Sequence, residues 1–382
     1  MPAGTADTAR GPCSLKVAIV ANSAWYLQNF RLALAQRLRD VGHSVVFIGP
    51  SDGHEHKLLQ AGFAFCHWPL ASAGTNPWTE GRSVLALHRI LAAQQVEAVL
   101  SYTPKANIYS GIALRGRGLR YLPNVSGLGR AFIKPSPLLR PLVSVLYRLA
   151  FKPAGKVVFQ NEDDRERFVA ARIVERDRTL RVPGSGVDLQ RFKPSEQPLP
   201  GQPLRFLFVG RLLRDKGVEE FVEAARRIRR DAPDTRFVML GSSHSDNPAA
   251  ISRERLQQWL DEGVVEHIEQ LDDVRPQLGS AHCVVLPSYR EGVPRSLLEA
   301  AAMAKPIVTT DAPGCRDTVI DGLTGYLCAP RSVAALETAL RRMLALDAGE
   351  RQAMGNQGRH FVEQHFDEGR VLETYVTLLD RR

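Results

Sequence analysis

Short runs of β-branched and apolar residues alternate with amphipathic stretches along the whole chain, and this alternation limits the fold more than any other feature. The runs Lys16–Ala21, Ser44–Gly49, Ala98–Tyr102 and Lys156–Gln160 come first; Leu204–Gly210, Arg236–Gly241, His282–Ser288 and Pro306–Asp311 follow after a break. Each is nearly continuous in apolar character, as parallel strands covered on both faces must be. Helical spacing runs through Gln28–Val41, Val218–Arg230 and Arg295–Ala304. Such strand–helix alternation predicts α/β architecture with doubly wound sheets. The break, Lys193 to Pro203, carries Pro194, Pro198, Pro200 and Pro203 among polar residues and has no period, which marks a linker. At 382 residues the chain is also longer than one typical domain. The expected organisation is a lead-in over 1–14, Rossmann-like domains over 15–195 and 196–365 that face a cleft, and a C-terminal helix over 366–382 that packs back toward the first domain.

Composition excludes several classes. The hydrophobic share of 44% and charged share of 24% are those of a globular chain. No apolar run reaches the roughly 20 residues that span a bilayer; Leu138–Phe151, the longest, is interrupted by Arg140, Pro141 and Arg148. The lead-in lacks the apolar stretch of a signal peptide. Cys13, Cys66, Cys283, Cys315 and Cys328 are odd in number and include no C-x-x-C pair, which disfavours a disulfide framework or a zinc site and suits a reducing cytoplasm. The net charge of +9 calls for an anionic partner. Nucleic acid is not expected, because neither zinc-finger spacing nor a stacking motif accompanies the charge.

Ligands of open α/β sheets sit beyond the carboxyl ends of the strands, which directs attention to the loops after Ala21, Tyr102, Gly210, Gly241 and Ser288. Gly210-Arg-Leu-Leu-Arg-Asp-Lys-Gly217 leads from a strand into a helix and sets Arg211 and Lys216 beside a positive helix terminus. Fixed cations and backbone N–H groups there suit a diphosphate. The order of residues is not that of a Walker loop. After the strand His282–Pro287, Glu291 falls on a loop, Pro294 suits the first helical turn, and Glu299 lies inside the helix. Gly292 and Val293 offer N–H groups at that helix start. A loop carboxylate can orient a sugar hydroxyl, and one within the helix can accept from a ribose. Solvated surface charge is the plainer reading of each residue taken singly. A glycosidase-like carboxylate pair is rejected, since a loop and a helix position do not flank one bond from opposite sides.

The string Glu291-Gly-Val-Pro-Arg-Ser-Leu-Leu-Glu299 resembles the E-x7-E motif of glycosyltransferase family 4. The likeness extends to Phe208-Val-Gly-Arg-Leu212, Lys216-Gly217, Val284-Val-Leu-Pro-Ser288, Val182 to Phe192, Pro313-Gly-Cys315 and Asp321-Gly-Leu-Thr-Gly325. It covers most of the chain from Val17 onward. The resemblance implies a GT-B fold and a retaining transferase. It implies that Arg211 and Lys216 contact the donor diphosphate and Glu299 the ribose. Glu291 would reach the transferred sugar, and the backbone at His267 and Ile268 would line the nucleobase. Gly292, Val293 and Pro294 fall in the same donor loop, and Glu291, Lys216 and Arg211 become the expected catalytic residues.

The first half is similar to a narrower group, bacterial transferases that extend lipid-linked O-antigen, capsule or glycan precursors. Asn29-Phe-Arg31, Thr103 to Gly111 and Ser126 to Gly129 carry that likeness. Lys105, Asn107 and Gly127 are thereby expected on the acceptor side. Many relatives have a Gly-Gly loop after the first strand, whereas this chain has Ala21-Asn-Ser-Ala-Trp25, so Ser23 and Trp25 are expected to meet acceptor more than donor. The group implies a donor with UDP and a polyprenyl-diphosphate-linked acceptor that receives a hexose or N-acetylhexosamine. Residues 130–156 interleave Arg130, Lys134, Arg140, Arg148, Lys152 and Lys156 with bulky apolar side chains, which suits peripheral attachment to the anionic inner face of the plasma membrane. No D-x-D triplet occurs, so neither a metal nor another cofactor is expected. The alternatives are a sugar-nucleotide epimerase of the same architecture and a non-catalytic, membrane-associated nucleotide-sugar-binding protein. A nicotinamide dehydrogenase is disfavoured for want of G-x-G-x-x-G.

Overall fold

A computed structural model describes residues 14–70, 76–127, 139–195, 202–243 and 247–380. Expectations placed on 1–13, on 128–138 and on 196–201 lie outside the described residues. The chain divides into two compact units, one of 1–159, 164–182 and 372–382, the other of 160–163 and 183–371.

In the first unit the order is β1 (Lys16–Val20), α1 (Ala24–Asp40), β2 (Ser44–Gly49), α2 (Glu55–Gln60), β3 (Ala64–His67), α3 (Pro77–Ala93) and β4 (Ala98–Tyr102). There follow α4 (Pro104–Ala113), β5 (Arg120–Val125), α5 (Leu139–Phe151), β6 (Val157–Phe159), α6 (Glu162–Ala170) and β7 (Thr179–Arg181). The seven strands form a parallel sheet in the order β3-β2-β1-β4-β5-β6-β7. The order reverses between β1 and β4, and right-handed crossovers then put successive helices on opposite faces. Accordingly α1 packs on α2, while α4 packs between α3 and α5. That second layer is tight, because a Cβ at Gly111 of α4 would stand 2.1 Å from the Ala150 carbonyl oxygen of α5. Tyr147, Phe151, Phe159 and Phe168 fill the space beneath, each buried and in ring contact.

The second unit runs β8 (Arg205–Val209), α7 (Val218–Asp231), β9 (Arg236–Leu240), α8 (Arg253–Asp261), β10 (Glu266–Ile268), α9 (Arg275–Gly279) and β11 (Cys283–Leu286). It continues α10 (Arg295–Ala302), β12 (Ile307–Thr310), β13 (Gly325–Cys328), α11 (Val333–Ala345), α12 (Ala348–His365) and the first residues, to Val371, of α13 (Glu368–Asp380). Its sheet is again parallel, in the order β10-β9-β8-β11-β12-β13. Counted within the unit this is the order 3-2-1-4-5-6, the Rossmann arrangement, with the reversal between β8 and β11. Phe206 stacks on Phe237 at 5.2 Å, and Phe221 meets Phe237 edge-on at 5.7 Å. Burying each such ring contributes about 1.5–3 kcal/mol.

Two stretches fall differently from a division at 195. Pro183–Ser195 belongs to the second unit, where the Val187 N–H donates to the Phe366 carbonyl at 2.8 Å. Residues 160–163 belong there too, although β6 before them lies in the first unit. The end of α13 returns to the first unit: Glu373 pairs with Arg37 at 2.6 Å, and the Tyr375 hydroxyl donates to Asn124 Oδ1 at 2.5 Å.

His282, just ahead of β11, accepts the Arg205 N–H on Nδ1 at 3.1 Å and is 6% exposed. Burial, then Arg351, Lys305 and Arg205, push its imidazole down to about 4. A depressed folded value means that stability is fully present above the ordinary histidine range and is lost as pH falls toward about 4. The wild type should therefore lose on the order of 2–3 kcal/mol more than His282→Gln between pH 6.5 and 4.5, measured by denaturant unfolding. Parallel curves would contradict this.

Candidate active site in the second unit

The loops after β8, β11 and β12 are pressed together at the carboxyl edge of the second sheet. Gly217 ends the short turn Arg214–Lys216 at φ 75°, and a Cβ there would lie 2.2 Å from the Pro287 carbonyl oxygen. Gly314 has φ 78°, and its Cβ would lie 2.3 Å from the Gly292 carbonyl oxygen. Only glycine fits such a left-handed, backbone-to-backbone approach. Hydrogen bonds complete the joint: the Tyr289 N–H donates to Asp215 O at 2.9 Å, and the Glu291 N–H donates to Pro313 O at 3.0 Å.

This joint brings Lys216 and Glu291 into contact. The ammonium donates to Glu291 Oε1, and Ser288 Oγ donates to the same oxygen at 2.7 Å. The two side chains are 19% and 14% exposed, so the pair is shielded but still open to a ligand. Asn161, fully buried, donates from Nδ2 to the carbonyls of Gly292 at 2.9 Å and Glu291 at 3.3 Å. That asparagine fixes the path of the Glu291 loop, and it was not singled out from the sequence. Its only sequence signal is a polar amide directly after a strand end. Cys315 is also buried beside the pair; burial, then the Glu291 charge, push its thiol up to about 12, so it stays protonated and inert as a nucleophile.

The remaining donor-side residues are spread around the same edge. Arg211 is exposed directly after Gly210, and no acidic partner pairs with it among the described residues. Val293 is half-buried, and Pro294 is the N-cap of α10 rather than a residue of its first turn. Glu299 lies on α10, 13% exposed, and forms an ion pair with Arg295, Oε1 to Nε 2.9 Å. Burial raises its carboxyl value, with Arg295 and Arg191 opposing. The structure therefore separates Glu299 from the Lys216–Glu291 pair, giving each its own cationic partner. His267 and Ile268 sit on β10, where His267 Nε2 donates to Gly241 O at 2.9 Å and Ile268 O accepts the Gly241 N–H at 3.0 Å. Both shape the turn after β9.

On the first unit the expected acceptor-side residues are less uniform. Ser23 caps α1, its Oγ accepting from the Tyr26 N–H at 3.1 Å, and the Trp25 N–H donates to Asp52 Oδ2 at 3.0 Å. Lys105 pairs with Glu80 at 2.7 Å. Asn107 is buried, with Oδ1 accepting from Ser101 Oγ at 2.7 Å and Nδ2 donating to Asn124 O at 2.8 Å. Its amide pins α4 to β4 and β5, which corrects the expectation that it faces ligand. Gly127 ends the described part of the loop after β5. Thr103, between β4 and α4, holds φ 74° and ψ 151°, a conformation costing about 1–3 kcal/mol and concentrated at functional sites.

Comparison with known proteins decides what this arrangement belongs to. Residues 190–361 match the family described as Glycosyl transferases group 1, and residues 28–184 match the Glycosyl transferase 4-like domain. The chain belongs to glycosyltransferase family 4. Among its relatives is the N,N'-diacetylbacillosaminyl-diphospho-undecaprenol alpha-1,3-N-acetylgalactosaminyltransferase of Campylobacter jejuni, 26% identical over 96% of this chain and 99% of that protein. The capsular polysaccharide biosynthesis glycosyltransferase CapM of Staphylococcus aureus is 23% identical over 86% of this chain and 87% of its own length. Anabaena HepE, solved with UDP-glucose, shares the GT-B fold at a TM-score of 0.78, with 16% identity, 96% of this chain covered and 100% of that one.

In this glycosyltransferase, removing Lys216 alone would leave a shielded carboxylate without its cation. Lys216→Met should lower stability by about 1–3 kcal/mol, and adding Glu291→Gln should recover most of that loss. Thermal unfolding of both single variants and the double variant measures this coupling; additive losses would contradict it.

Proposed function

We propose that this glycosyltransferase moves a hexose or N-acetylhexosamine from a UDP-sugar to a polyprenyl-diphosphate-linked saccharide, with retention at the anomeric carbon. The Lys216–Glu291–Ser288 cluster, with exposed Arg211 on the same strand-end loop, is the observation that carries the reading. A cation beside a carboxylate suits the place where a diphosphate meets its sugar. Arg211 and Lys216 would stabilise charge on the departing diphosphate as its bond to the anomeric carbon breaks. The acceptor oxygen then bonds to the same face of that carbon, and its proton passes to a diphosphate oxygen. Glu291 would accept from hydroxyls of the transferred sugar, and Glu299 from those of the ribose.

The name of the Campylobacter relative supports an N-acetylhexosamine and a diphospho-undecaprenol-linked acceptor. That of the Staphylococcus relative supports a place in cell-surface glycan synthesis. The HepE complex is the precedent for UDP within the fold. Such acceptors place the enzyme at the cytoplasmic face of the plasma membrane. No helix among the described residues is long and apolar enough to cross a bilayer, so attachment would be peripheral. Within 130–156, α5 leaves Leu142 and Val145 exposed beside Arg140 and Lys152, while Arg148 Nη2 donates to the Ala171 carbonyl at 2.8 Å.

The reading needs no metal, because fixed cations perform the charge neutralisation. Among the described residues no group of three or more His, Cys, Asp or Glu side chains is placed to hold an ion. Transfer should continue in excess EDTA; abolition that manganese reverses would contradict it. Glu291→Gln should lower kcat by at least about 100-fold while leaving the fold intact. Turnover within a few-fold of wild type would remove Glu291 from the mechanism.

A further inference from the structure

Helix α3 carries an outward face that the transfer reaction does not use. Trp78 is 85% exposed and Leu85 48% exposed, and Arg82 and Arg89 are exposed with them. The spacing i, i+4, i+7, i+11 puts these four side chains within an arc of about 60° at 100° per residue. The opposite side of the helix is the buried one, through Ser83, Leu87 and Leu91. Glu80, the one carboxylate of α3, is turned inward, where it accepts from Lys105 Nζ at 2.7 Å and from the Tyr109 hydroxyl. The outward stripe of α3 is therefore aromatic, aliphatic and cationic, and the helix itself presents no acid on that side.

We propose that this face of α3 is a contact surface for an anionic lipid bilayer. An indole is amphipathic and settles at the headgroup level, where Leu85 on the same stripe would reach the acyl boundary. Arg82 and Arg89 lie between and beyond them along the stripe, so their long stems can lie on the apolar surface while the guanidiniums meet lipid phosphate. The surface continues past one helix. Both α3 and α5 pack on α4, so the exposed Leu142 and Val145 belong to the same helical layer. A cationic helix face with no acid of its own fits a negatively charged partner, and an exposed tryptophan fits one with an apolar interior. The inference rests on the lipid-linked acceptor reading, because it gives that acceptor a surface to be drawn from.

The test is binding of the full chain to vesicles of phosphatidylcholine with about one-third phosphatidylglycerol, against pure phosphatidylcholine. The expected result is co-sedimentation with the anionic vesicles at low salt, release at high salt, and quenching of tryptophan emission by brominated lipid. Trp68 and Trp259 are buried and Trp25 is half-buried, so in a Trp25→Phe background, where Trp78 is the one exposed indole left, Trp78→Phe should remove most of the quenching. The double variant Arg82→Glu/Arg89→Glu should bind at least about tenfold more weakly while transferring sugar normally to a detergent-soluble acceptor. Unchanged vesicle binding by that variant, or equal binding of the wild type to both vesicle types, would overturn the proposal. Loss of binding together with loss of self-association would overturn it too, by assigning the face to a second copy. Failure of the transfer reading would show instead as no turnover of the soluble acceptor by the wild type.

Discussion

The backbone contact that places Gly217 under Pro287 and Gly314 under Gly292 is what the candidate site depends on. It brings the ends of three neighbouring strands close enough for a lysine after β8 to reach a glutamate after β11. Neither residue's chemistry is unusual by itself. Their closeness is, since a shielded ion pair contributes little net stability and is costly when one partner is lost. A site held this way has its charges in place before a ligand arrives, which is the condition for electrostatic stabilisation of a transition state.

The same reasoning explains features that stability alone would not favour. Burial raises the Glu299 carboxyl, so its ionised form weighs slightly against the free fold at neutral pH, and hydroxyl donors from a bound nucleotide would relieve that penalty. Thr103 holds a glycine-like conformation at the reversal point of the first sheet, next to a proline that fixes the following turn. Both lie at carboxyl edges of their sheets, where open α/β sheets bind ligands. Thr103 and Glu299 thus combine a strained backbone and a buried charge with positions near the proposed chemistry. Gln95, Arg172, Ala304 and Arg331 also hold positive φ, and Lys305 and Arg351 are buried, in the framework around it.

Much of this was legible in the sequence, for a physical reason. Central parallel strands are covered on both faces, so β1, β2, β4, β8, β9, β11 and β12 stand out as apolar runs close to their observed bounds. Edge strands are not covered in this way. β3, β10 and β13 have only three or four residues each, and two of the three in β10, Glu266 and His267, are polar; runs so short carry no period that separates them from loops. β5 is central yet carries Pro123 and the buried Asn124, whose side chain the sequence gives no reason to place inside. The motif residues Arg211, Lys216, Glu291 and Glu299 could be put on a loop or a helix by spacing. The contact between Lys216 and Glu291 could not, because it arises from the approach of two loops 75 residues apart in sequence. Asn107 shows the converse: position after a strand suggested a ligand group, and packing used the amide internally.

The claim at the centre of this account is that Arg211 and Lys216 grip a diphosphate. Calorimetric titration with UDP and with uridine measures that grip directly, since the two ligands differ only by the phosphates. The account predicts that the wild type binds UDP far more tightly than uridine and that Arg211→Ala/Lys216→Met narrows the gap at least tenfold, with uridine affinity little changed. An unchanged gap in the variant would contradict it.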